Sequence, residues 1–64
     1  MTAAQRHDAL FTIWSAARAE ANVAYEAWCD VPGAESYSVY RAAEDRADAA
    51  EQALAMAGSE LLPV

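Results

Sequence analysis

Asp30-Val31-Pro32-Gly33 is the break that divides this chain into two helices. Pro32 disfavours helical backbone at Val31, so a helix arriving from the N-terminal side closes there. Before the break, Ala3, His7, Leu10, Trp14, Ala17, Ala21, Ala24 and Trp28 recur at alternating gaps of four and three. After it the alternation resumes through Tyr40, Ala43, Ala47, Ala50, Leu54, Ala57 and Leu61. Such spacing keeps one side of a helix turned toward one partner along its whole length. So short a connection forces the two helices antiparallel.

Local signals set the expected ends. Thr2 is a good N-cap, and Gln5 three residues on completes a capping-box pattern. No Gly or Pro interrupts Ala3 to Cys29, and alanine abounds, so helix propensity is high. The second helix has two candidate starts: near Pro32, with proline in its first turn, or at a Ser36 N-cap. Gly58 stands where a left-handed C-cap is usual. The expected organisation is one domain, 1–64, with helix 3–29, turn 30–35, helix 36–57 and tail 58–64.

Counting outward from the turn sets the expected register. Trp28 should lie near Tyr37 and Tyr40, Ala21 near Ala43 or Ala47, and Trp14 near Ala50 and Leu54. His7 and Leu10 should meet Leu54, Ala57 and the tail. Alanine facing alanine lets helix axes approach to about 8 Å. That waist buries little area, and an alanine contributes only a methyl group where a large side chain contributes roughly 1.5–3 kcal/mol. Phe11, Ile13, Tyr25, Trp28, Val39, Met56, Leu61 and Leu62 are therefore read as an oligomer interface. The fold class is an all-α antiparallel hairpin with an alanine-rich heptad seam, expected to dimerise into a four-helix bundle.

Composition narrows the chemistry. Sixty-four residues make one small domain, which usually needs disulfides, a metal or a partner. Cys29 is the lone cysteine and His7 the lone histidine, short of the four ligands of a structural zinc site. Cys29 stands at the end of the first helix beside Asp30, a setting that speaks against nucleophilic use. His7 lies on the seam with Asp8 about 100° away round the helix, which suits a half-buried structural histidine. Nothing in the chain points to catalysis, a cofactor or a metal, and the expectation is a non-enzyme. No hydrophobic run is long enough for an export signal or a membrane span. A cytoplasmic protein without membrane association is expected.

Ten acidic residues against four arginines give a net charge of −6. That balance repels nucleic acid and favours basic partners. Glu44, Asp48 and Glu51 form one stripe on the second helix, with Asp45 beside it, and Tyr37 and Arg41 extend it toward the turn. Arg41 and Arg46 interrupt the acidic run and are expected to pair locally with Glu44 or Asp45. The stripe is the candidate partner-binding site. The expected function is a small acidic protein-interaction module. Its sharper form is an inhibitor, of the phage anti-defence kind, that blocks a basic nucleic-acid-binding surface of another protein. The alternative is a structural subunit of a homo-oligomeric helical bundle.

Overall fold

The computed structural model describes residues 1–61 and consists, within them, of two helices packed against each other: α1 (Ala3–Asp30) and α2 (Ala34–Ser59). Together they make a rod of 48 × 15 × 15 Å. Among the described residues, no helix is long and apolar enough to cross a membrane.

The first helix opens with the expected capping box. The Gln5 amide donates to Thr2 Oγ1 at 3.1 Å, and the Thr2 amide donates to Gln5 Oε1 at 2.8 Å. Two donors that a helix start leaves orphaned are thereby satisfied. At the far end the Val31 amide still reaches Ala27 O, at 2.9 Å, so α1 runs one residue past Cys29.

The second helix starts at neither expected position. Gly33, in extended backbone, is its N-cap and Ala34 its first residue. Ser36 sits inside the first turn, and its hydroxyl donates to Val31 O at 2.8 Å. That bond ties the new helix to the end of the old one, so Ser36 fastens the turn instead of capping α2. Gly58 is the second correction. No glycine has positive φ, and α2 continues through Gly58 to Ser59. The chain closes with the Glu60 and Leu61 amides donating to Ala57 O and Gly58 O, at 3.2 and 3.1 Å. These are the short-range bonds of a tightening last turn, which needs no left-handed residue.

Among the described residues, all five buried hydrophobic residues are alanines: Ala21, Ala24, Ala43, Ala47 and Ala57. The first four form one cluster, with Ala17 and Tyr40 packed against it, so Ala21 meets the expected partners. Beyond this waist the side chains grow. Toward the turn, Trp28 approaches Tyr37 and Tyr40 with ring centroids 5.2 and 5.5 Å apart. At the other end the His7 ring faces Gly58.

Candidate interaction surfaces

An antiparallel hairpin places the residue just after a seam position on α1 and its counterpart on α2 on the same side of the molecule. The residues just before seam positions share the opposite side. The two sides of this rod differ in chemistry.

The following side, one residue past the seam, is aromatic and charged. Arg18, after Ala17, reaches across to Glu44, after Ala43, with Nη1–Oε1 3.1 Å and Nη2–Oε2 2.7 Å. The fork-to-fork geometry is the strong form of such a pair. Both groups are partly shielded by the helices. The two hydrogen bonds hold the Glu44 carboxyl below its ordinary value and the Arg18 guanidinium above its own. Asp48, one turn further along α2, adds to the field on Arg18.

Around the turn end, Trp28 stacks on Tyr40 with planes 8° apart, while Tyr25 meets both edge-on at 6.0 and 5.5 Å. Tyr37 closes the group against Trp28. Trp28 is half-buried, whereas Tyr25 and Tyr37 remain close to half exposed. A hydrogen bond with Cys29 raises the Tyr25 phenol above its ordinary value, and Cys29 itself is an exposed free thiol. Further along α1, Phe11 leans on Trp14 at 5.7 Å and is half exposed.

The preceding side is aliphatic. Val23, Ala24, Ala27, Val39 and Ala43 line a shallow open groove between the helices, bordered by Glu20 and Arg46. It continues past Val31 to the turn. Ile13, Val23, Val31, Val39 and Met56 are each more than half exposed.

The expected acidic stripe is divided by these contacts. Glu44 is committed to Arg18, and Asp45 lies 3.8 Å from Arg41 one turn back. Asp48 and Glu51 are exposed and have no arginine partner among the described residues. Arg46 does not pair locally. It crosses to Glu20, with Nη2–Oε2 3.7 Å. The expected interface set is split as well: Phe11, Tyr25 and Trp28 belong to the aromatic side, and Ile13, Val39 and Met56 to the aliphatic side. Leu61 is exposed at the end of the described chain, and Leu62 lies outside the described residues.

Three cross-helix ion pairs were not foreseen: Arg18–Glu44, Glu20–Arg46 and Arg6–Glu60. Their signal is in the sequence all the same. Arg18 and Glu44 each follow a seam residue, Glu20 and Arg46 each precede one, and so do Arg6 and Glu60. His7 Nδ1 lies 3.9 Å from Asp8 on the rim. Among the described residues, no group of three or more His, Cys, Asp or Glu is placed to hold a metal ion. No protein-family model, curated protein or solved structure matches the chain.

Proposed function

We propose that the chain is a non-enzymatic protein-interaction module that engages a basic partner surface through its aromatic, carboxylate-bearing side. One observation carries this reading. Exposed Tyr25 and Tyr37 share a side with Asp48 and Glu51, carboxylates that have no arginine partner among the described residues. Tyrosine is a residue type that dominates protein–protein hot spots. Carboxylates without local partners steer a basic surface toward it. The sharper form of this reading is an inhibitor seated on a nucleic-acid-binding groove. It would draw on Asp48 and Glu51 more than on Glu44, whose charge Arg18 already neutralises.

The test uses the double substitution Asp48→Lys, Glu51→Lys, which spares the Arg18–Glu44 pair. Wild-type protein immobilised against a nuclease-treated lysate of its own cells should retain a specific protein at defined stoichiometry. The variant should lose that capture at least tenfold while its helical circular dichroism is unchanged. Equal capture by both forms would exclude the carboxylate side as the binding site.

A further inference from the structure

The aliphatic side makes a separate demand, whatever the aromatic side binds. The chain exposes 4645 Å², whereas a compact monomer of its 6.9 kDa is expected to expose about 4,000 Å². The surplus, roughly 650 Å² over the whole rod, is on the scale of the ~800 Å² that each partner buries in a standard interface. The aliphatic face contributes Ile13, Val23, Val39 and Met56, each more than half exposed.

Charge identifies the occupant. Residues just before the seam are Ala9, Ile13, Ala16, Val23 and Ala27 on α1, and Val39, Ala42, Ala49, Ala53 and Met56 on α2. The charged residues at these positions are Arg6, Glu20, Arg46 and Glu60, which form the pairs Arg6–Glu60 and Glu20–Arg46. Toward the turn Asp30 and Glu35 border the same groove, so the face is balanced along the helices and acidic only at its turn end, on a chain of net charge −6. Two copies meeting through any acidic face would oppose like charges, whereas here each brings a balanced acid–base set. Along this face the bulkier Val23 and Val39 each stand one helical turn from a smaller residue, Ala27 and Ala42.

We infer that a second copy of the chain docks on this aliphatic face, the same face of each copy meeting about a two-fold axis. The product is a four-helix bundle whose outward sides carry the two aromatic, carboxylate-bearing surfaces. A C2 contact uses one patch twice and so requires self-complementarity in charge and shape. Away from its turn end, the paired charges of this face meet the charge requirement.

Light scattering coupled to gel filtration, with sedimentation equilibrium, tests this on the full chain. At micromolar concentration the wild type should have twice the chain mass, and its melting temperature should rise with concentration. Val23→Glu, Val39→Glu should raise the dissociation constant at least a hundredfold. Val23→Ala, Val39→Ala keeps helix propensity and should raise it about tenfold, so loss of folding in the first variant does not void the test. Tyr25→Glu on the aromatic side should leave the dimer intact. A wild type that stays a folded monomer at about 100 micromolar, where a dimer with a micromolar dissociation constant would be nearly complete, would overturn the inference. So would a dimer broken by Tyr25→Glu and untouched by both valine variants. Neither result bears on capture by Asp48 and Glu51, so the two readings fail separately.

Discussion

Arg18 and Glu44 lock the hairpin from one flank of its alanine waist, with two parallel hydrogen bonds of 3.1 and 2.7 Å. The seam itself consists of near-identical methyl groups, and neighbouring alanines offer little to distinguish one register from another. A two-pronged pair is satisfied at a single register. It thus contributes specificity as well as attraction.

That pair predicts a pH dependence. The Glu44 carboxyl is depressed, chiefly by its hydrogen bonds from Arg18, below its ordinary 4.5. A depressed carboxyl stabilises the fold fully above its unfolded value and loses that contribution as pH falls through the folded value. Thermal melts of wild type and Glu44→Gln should therefore differ most near neutrality, and the gap should close as pH falls below the ordinary carboxylate range through the depressed folded value. A gap that widens on acidification would contradict the assignment.

Gly58 offers a direct check on the end of α2. Its φ is not positive, and a Cβ placed there would sit 4.0 Å from His7 Cδ2 and Nε2, an ordinary contact. Gly58→Ala should stabilise the protein by about 0.5–1 kcal/mol in urea unfolding, because alanine loses less backbone entropy in a helix. A left-handed Gly58 would give the opposite sign.

The waist should resist enlargement. Ala21 has no exposed surface and packs among Ala24, Ala43 and Ala47. Ala21→Leu should cost about 1–3 kcal/mol by overpacking, although leucine is an excellent helix former. Denaturant midpoints decide this, and a gain in stability would mean the helices lie farther apart than their alanines imply.

The two tryptophans should differ in weight. Trp28 touches Tyr25, Tyr37 and Tyr40, whereas Trp14 has Phe11 as its aromatic neighbour. Trp28→Ala should cost about 2 kcal/mol or more, and Trp14→Ala less. Equal losses would argue against an energetic role for the aromatic cluster.

Much of this protein is legible from residue order alone. The four-and-three alternation, the Pro32-Gly33 break and the Thr2–Gln5 box determine two antiparallel helices, because they act through local backbone geometry and helical periodicity. They also bring Trp28 to Tyr37 and Tyr40, since a short turn leaves little choice of register nearby. Local rules failed at Ser36 and Gly58, where good capping residues sit inside α2. Ser36 found the Val31 carbonyl left free by α1, and Gly58 faces the His7 ring instead of turning out of the helix. Position relative to the seam assigns each residue to a side, but tertiary structure decided which charges on a side actually pair and which stay free among the described residues. Glu44 belongs to Arg18, twenty-six positions away, because an ion pair depends on distance in space and not on spacing along one helix.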